Sequence, residues 1–114
     1  MSEARLRSSV EAASLVRRAE AAGDFAAVLR KGDPDKGALL LVISSRGRHF
    51  GCLERMLSLD GGYRWERVGP PESASSADLA AFLARRTRFD EDLWIIELDI
   101  ASAEQFIAET TSSG

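Results

Sequence analysis

The chain has 114 residues, of which 45% are hydrophobic and 29% charged, values typical of one globular domain rather than a disordered chain. Its formal net charge of −3 argues against a general nucleic-acid binder, which needs an excess of Lys and Arg to neutralise phosphates. The single cysteine, Cys52, excludes an intramolecular disulfide and suits a reducing compartment.

The N-terminal segment has the pattern of an amphipathic helix. Leu6, Val10 and Ala13 recur at steps of three and four residues, and Ser8 with Glu11 has capping-box spacing. Gly23 favours the end of this helix. We expect an ordered core over about residues 6–109 of a single domain, 1–114, with a frayed tail at 110–114.

Four strand-like segments follow, joined by short turns. Their sequences are FAAVLR from Phe25, ALLLVIS from Ala38, HFGCLERMLSL from His49 and YRWERV from Tyr63. The second is apolar at both alternating positions, which predicts a central strand covered on both faces. Because short turns join antiparallel neighbours, the series predicts an antiparallel meander, and Gly51 indicates a bulge.

The second half alternates between helix and strand. After the interruption GPPESASS, Ser75 with Asp78 predicts a helix start, followed by an apolar stripe of Leu79, Phe82, Leu83 and Phe89. LWIIEL reads as a last strand, which can pair in parallel because it follows a helix. Ser102 and Gln105 begin a third helix that carries Phe106 and Ile107. The order predicts an α+β fold: a mainly antiparallel four- to five-stranded sheet with helices packed on one face.

The stretch RRTRFDEDLWIIELD, residues 85–99, concentrates charge around one turn. Basic residues at a helix C-terminus complement its dipole, so we favour a structural joint, with Phe89 and Trp94 anchored in the core. The alternative is an interaction patch, since Arg and Trp are common interface anchors. Its members would be Arg85, Arg86, Arg88, Asp90, Asp92 and Trp94.

A second candidate patch combines basic residues with an aromatic ring. Arg46, Arg48, Arg64 and Trp65 lie on or beside predicted strands, and such a face can stack single-stranded nucleic acid. Nearby Glu54 and Glu66 weaken that interpretation. A solvated sheet face is favoured, and nucleic acid is an unlikely partner.

The chain offers few groups for metal or nucleophilic chemistry. With one His and one Cys the usual zinc ligand sets are absent, and no phosphate-binding glycine motif occurs. His49 and Cys52 are three residues apart, so a regular strand points them to opposite faces, and a dyad needs a bulge at Gly51. We therefore expect no catalytic residues, no metal site and no cofactor.

Two segments, AAGDFAAVLRKGDPDKGALLLVI and LARRTRFDEDLWIIELD, resemble DUF1491, a domain-of-unknown-function family of short alphaproteobacterial proteins. The likeness runs from Leu6 to about Ile107 and is most specific over RRTRFDEDLWIIELD. Lys31 stands where the family's turn leads us to expect Arg. The resemblance implies a bacterial cytoplasmic protein, and it implies no reaction and no catalytic residues.

The leading functional hypothesis is an uncharacterised small cytoplasmic protein acting as a non-enzymatic protein-binding or adaptor module. Its partner would be an unknown protein or a second copy, because a short sheet with apolar strands leaves an edge to cover. The longest aliphatic run, Ala38 to Ile43, is too short to span a membrane. The alternatives are a small enzyme using carboxylate/Arg acid–base chemistry in a cleft, through Glu54, Glu66 or Asp92, and a weak single-stranded nucleic-acid binder.

Overall fold

The computed structural model describes residues 7–57, 59–72 and 74–111, with the side chain of Leu57 left aside. Leu6, Ser73 and the last three residues of the predicted tail lie outside these ranges. The eight elements follow the predicted order. They are α1 (Ser8–Ala21), β1 (Phe25–Arg30), β2 (Leu39–Ser45), β3 (Arg48–Leu57), β4 (Tyr63–Val68), α2 (Ser76–Phe89), β5 (Trp94–Asp99) and α3 (Ala103–Thr111).

The five strands form one sheet in the order β1-β5-β2-β3-β4. All neighbouring pairs are antiparallel except β2 with β5, so the predicted α+β class and mainly antiparallel sheet are confirmed. The predicted antiparallel meander is confirmed only for β2, β3 and β4. β1 does not pair with β2, because β5 lies between them. The apolar residues of β5 are buried in this central position. The predicted bulge lies beside Gly51, where the pairing of β3 with β2 shifts register.

The helices cover both faces of the sheet, which corrects the prediction that they pack on one. Leu39, Leu41 and Ile43 of β2 pack in the cluster that includes residues of α1 and α3. Leu40 and Val42 point the opposite way and pack with residues of α2. A strand buried at every position needs cover on each side, so one layer of helices does not suffice.

The first two of the three predicted helix starts have different outcomes. Ser75 caps α2 by accepting a hydrogen bond from the Asp78 N–H at 3.1 Å, as expected. The capping box at α1 is wrong, since the N-cap residue is Arg7 and makes no side-chain cap. Ser8 is instead buried and donates its hydroxyl hydrogen to the Gly37 carbonyl at 2.7 Å. This contact fastens α1 to the β1–β2 loop.

Within the described ranges, no helix is long and apolar enough to cross a membrane.

Candidate functional site

A cleft of about 470 Å³ separates α1 from α3 above the sheet. Its floor is formed by buried aliphatic side chains of β2 and β5 and the residue after β5: Leu39, Leu41, Leu98 and Ile100. Half-buried Leu15 and Phe106 line the helical sides, and Trp65 of β4 lines one end. Apolar walls of this size are typical of small-molecule sites.

An ion pair lines the polar end of the cleft. Arg55 of β3 donates a hydrogen bond from Nη1 to Oε2 of Glu11 on α1, and both side chains are mostly buried. The Arg55 guanidinium also lies 4.8 Å from the centre of the Tyr63 ring. Glu11 Oε1 is buried, yet it accepts no hydrogen bond from any residue in the described ranges. Because this oxygen has almost no accessible surface, it lies behind the wall of the cleft and is not presented to it.

The opposite end of the cleft opens into a neighbouring hollow of about 400 Å³. The two share Ala22, Asp24, Ile100 and Phe106. Asp24 Oδ1 accepts a hydrogen bond from the Ala101 N–H at 3.2 Å, which fixes the end of α1 to the start of α3.

The first predicted patch is divided among separate contacts. Arg86 donates from both terminal nitrogens to the Glu54 carboxylate, at 2.6 and 2.7 Å, and this pairing raises the pKa of Arg86. Arg85 and Arg88 are exposed. The structure therefore does not bring the three arginines together on one ligand.

The rest of that patch forms the joint between α2 and β5. Trp94 is buried, and its indole N–H donates to the Asp33 carbonyl at 2.7 Å. The Asp33 N–H donates to the Asp92 carbonyl at 3.0 Å, and the Asp92 N–H donates to the Asp90 carboxylate at 3.0 Å. Phe89 was expected in the core, but its side chain is 81% exposed. It ends α2 on the solvent side, whereas Leu79, Phe82 and Leu83 pack inward as predicted.

The second predicted patch is spread along the sheet. Arg46 lies in the β2–β3 turn with a φ of 54°, and Arg48 pairs with Glu72 at 3.2 Å. Arg64 is opposite Met56, eight residues from Arg48 along β3, which corresponds to about 26 Å. Strand alternation points Arg64 and Trp65 to opposite faces, and Trp65 lines the cleft.

The carboxylates of the acid–base alternative also lie apart. Glu54 is held by Arg86 and Glu66 by Arg64, while Asp92 is exposed in the joint. Glu11, which lines the cleft together with Asp24, was not predicted as a site residue. Its partner Arg55 is 44 residues away, so no sequence pattern connects the two. The acid–base enzyme and the nucleic-acid binder stay predictions.

Cys52 and His49 are both buried. Burial raises the pKa of the Cys52 thiol to about 11, although the charge of Arg67 opposes the shift. His49 Nε2 lies 3.2 Å from the Pro70 carbonyl oxygen. Over the described ranges, no group of three or more His, Cys, Asp or Glu side chains is placed to hold a metal ion.

The outer edge of β1 carries exposed apolar side chains. Phe25, Val28 and Leu29 are 59%, 40% and 52% exposed, and β1 is the first strand of the sheet. Leu29 has no partner on β5, because the pairing of the two strands shifts register between Val28 and Arg30.

Comparison with known proteins gives one family and several structures. The family model described as "Protein of unknown function (DUF1491)" matches residues 6–108. A crystal structure of a DUF1491 family protein from Caulobacter crescentus CB15 is 34% identical, with 84% of this chain and 89% of that chain covered and a TM-score of 0.74.

Two solution structures are similar as well. An NMR structure of a DUF1491 family protein from Caulobacter crescentus CB15 is 33% identical, covers 89% of this chain and 91% of its own, and has a TM-score of 0.75. The protein Atu0922 from A. tumefaciens is 30% identical, with coverages of 87% and 89% and a TM-score of 0.72. No curated protein matches the chain.

Proposed function

We propose a function from the geometry, because the chain belongs to the DUF1491 family, whose description assigns no activity. The protein is a non-enzymatic protein-binding module that joins a second copy of itself along β1. The supporting observation is the apolar outer edge of this strand.

The two edge strands of the sheet, β1 and β4, differ in how many charged side chains they carry. The outer strand β4 carries Arg64, Glu66 and Arg67, and charged side chains on an edge discourage another strand from adding to it. The β1 edge has three large apolar side chains in six residues and Arg30 as its one charged side chain. An unprotected edge of this kind favours strand addition.

The sequence of β1 is complementary to itself in an antiparallel pairing. If two copies pair around Ala27, Phe25 faces Leu29 of the second copy, and Ala26 faces Val28. Asp24 and Arg30 also face each other in this register, but contacts within each copy hold both side chains, so the apolar pairs carry the interface. Apolar and opposite-charge pairs across strands each contribute about 0.2–1 kcal/mol.

Sedimentation velocity over a concentration series tests this proposal. We expect the wild-type protein to associate as its concentration rises, and Phe25→Lys to remain monomeric because a charge blocks the edge. Leu59→Lys is the matched control, since Leu59 is fully exposed in the β3–β4 turn, away from β1. A wild-type protein that stays monomeric up to about 1 mM, where even weak interfaces associate, contradicts the proposal. Equal effects of Phe25→Lys and Leu59→Lys on self-association also contradict the proposal.

A further inference from the structure

We infer that the cleft between α1 and α3 binds a small organic acid, with its apolar part between the two helices and its carboxylate at Arg18. Among the described residues that line the cleft, none belongs to β1, so this site does not depend on the proposed self-association. The inference rests on three features of the cleft: its accessible apolar walls, an arginine without a partner among the described residues, and its fixed width.

The accessible walls define the apolar part of the ligand. A volume of about 470 Å³ is in the range of sites for small organic molecules. The aliphatic floor is almost completely covered, so a ligand meets the half-buried side chains above it: Leu15, Ala19, Trp65 and Phe106. Along α1 the lining runs from Glu11 to Ala22, which corresponds to about 16 Å. A short hydrocarbon chain between these walls removes apolar surface from water and gains the hydrophobic free energy of burial.

Arg18 defines the charged group of the ligand. Four charged side chains line the cleft, and two of them, Arg55 and Glu11, neutralise each other. Asp24 accepts a hydrogen bond from the Ala101 N–H just before α3, where the positive end of the helix dipole offsets its charge. Arg18 is exposed, and its side chain makes no ion pair or hydrogen bond with any residue in the described ranges. The accessible charge that is left is positive, and a guanidinium matches a carboxylate with two parallel N–H donors.

The cleft keeps its width because α1 is fastened at both ends. At one end the Ser8 hydroxyl donates to the Gly37 carbonyl, and at the other end Asp24 accepts from the Ala101 N–H. Closing the cleft by moving α1 toward α3 would break these contacts. A site that is open before binding requires little reorganisation of the protein, so a small ligand keeps most of the free energy of its contacts.

Octanoate, 1-octanol and octylammonium are suitable probes, because they share a hydrocarbon chain and differ in charge. Backbone amide spectra titrated with each compound report both affinity and position. We expect octanoate to shift resonances of residues that line the cleft and to bind about fivefold more tightly than 1-octanol, the gain expected from one solvent-exposed ion pair. Octylammonium should bind most weakly. No shifts at the cleft, or a neutral or cationic probe that binds as tightly as octanoate, overturns the inference.

A pair of variants tests the role of the arginine. Arg18→Gln should lower the affinity for octanoate to that for 1-octanol and leave the binding of 1-octanol unchanged. Arg17→Gln is the matched control, because Arg17 is the neighbouring exposed arginine, carries the same charge and lies outside the lining. It should keep the preference for octanoate. Spectra without ligand establish that both variants are folded. A preference that survives Arg18→Gln, or is lost equally in both variants, contradicts the inference.

Discussion

Two arginine–glutamate pairs begin from neighbouring residues of β3 and point to opposite faces of the sheet. Glu54 meets Arg86 of α2, and both carboxylate oxygens accept hydrogen bonds. Arg55 meets Glu11 of α1, and one carboxylate oxygen is left buried without a donor. The first pair uses both carboxylate oxygens, whereas the second leaves one of them without a hydrogen bond from the described residues.

The two faces of the sheet also differ in how closely the helices cover them, since the α2 side is closed and the α1–α3 side is open. On the α2 side, Phe82 and Leu83 close over Val42 and Cys52, and the arginine is used to attach the helix. On the α1–α3 side, the helices stand apart above the sheet and leave the cleft. An incompletely satisfied buried group in a folded protein calls for a functional explanation more than a satisfied one does.

The largest expected effect comes from disturbing the α2–β5 joint, where the β1–β2 loop packs against Asp92 and Trp94. A Cβ atom on Gly37 would lie 2.2 Å from the Asp92 carbonyl oxygen and 2.9 Å from Trp94 Cδ1. We expect Gly37→Ala to lower the free energy of unfolding by about 3 kcal/mol, because the backbone must move to admit the methyl group. Urea unfolding measures this loss.

Gly23→Ala is the control for that variant. Gly23 has a φ of +85° but no atom within 4 Å of an added Cβ, so its cost is backbone strain of about 1–2 kcal/mol. A loss at Gly37 no greater than at Gly23 would show that the joint is loosely packed.

An intermediate effect is expected from the two ion pairs. We predict that Glu54→Gln lowers the free energy of unfolding by about 2 kcal/mol, because it leaves the Arg86 charge half-buried. Glu11→Gln should cost about 1 kcal/mol, since the wild-type pair makes one hydrogen bond where Glu54 makes two. Chemical unfolding of both variants at the same pH shows which of them loses more free energy of unfolding. The reverse order would contradict the distinction between a complete and an incomplete pair.

The smallest effect at neutral pH concerns Cys52, buried on the closed side. Burial holds its pKa at about 11, above the ordinary value of 9.0, so the thiol is neutral in the folded protein well past neutrality. Unfolding therefore releases a proton between pH 9 and pH 11. Stability relative to Cys52→Ala should be constant below pH 9 and decline between these values.

Thermal or urea unfolding at several pH values measures that difference, and thiol labelling gives an independent check. The native protein should react slowly with a thiol reagent at pH 8 and rapidly in denaturant, since the thiolate is the reactive form. Ser14→Cys in a Cys52→Ala background is the matched probe, because Ser14 lines the open cleft. Fast labelling of native Cys52 would mean that the α2 side opens readily.

The two segments that carry the family resemblance meet in the joint. Gly32, Asp33 and Gly37 of the first lie against Asp92 and Trp94 of the second. The backbone N–H groups of Lys36 and Asp35 also lower the pKa of the Asp33 carboxyl and order this turn. The residues of the joint therefore maintain the architecture, and other residues of the same two segments line the cleft: Ala22, Asp24, Leu39, Leu41 and Leu98.

The sequence by itself determined the local elements of this protein. The segments FAAVLR and YRWERV predicted β1 and β4 at their observed bounds, and the spacing of Ser75 and Asp78 predicted the capping of α2. These features depend on residues a few positions apart, so local physics is sufficient. The exposure of Phe89 was not predicted, because an apolar stripe on a helix does not show how far along the helix the sheet covers it.

Only the tertiary structure decided the position of β5, the division of the helices between two faces and the meeting of Glu11 with Arg55. Each joins distant parts of the chain, and the members of that pair are 44 positions apart. Such contacts form through the packing of the whole sheet, because burial rewards any arrangement that covers both faces of β2. Strand order and the cleft are therefore properties of the assembled fold, and no single segment encodes them.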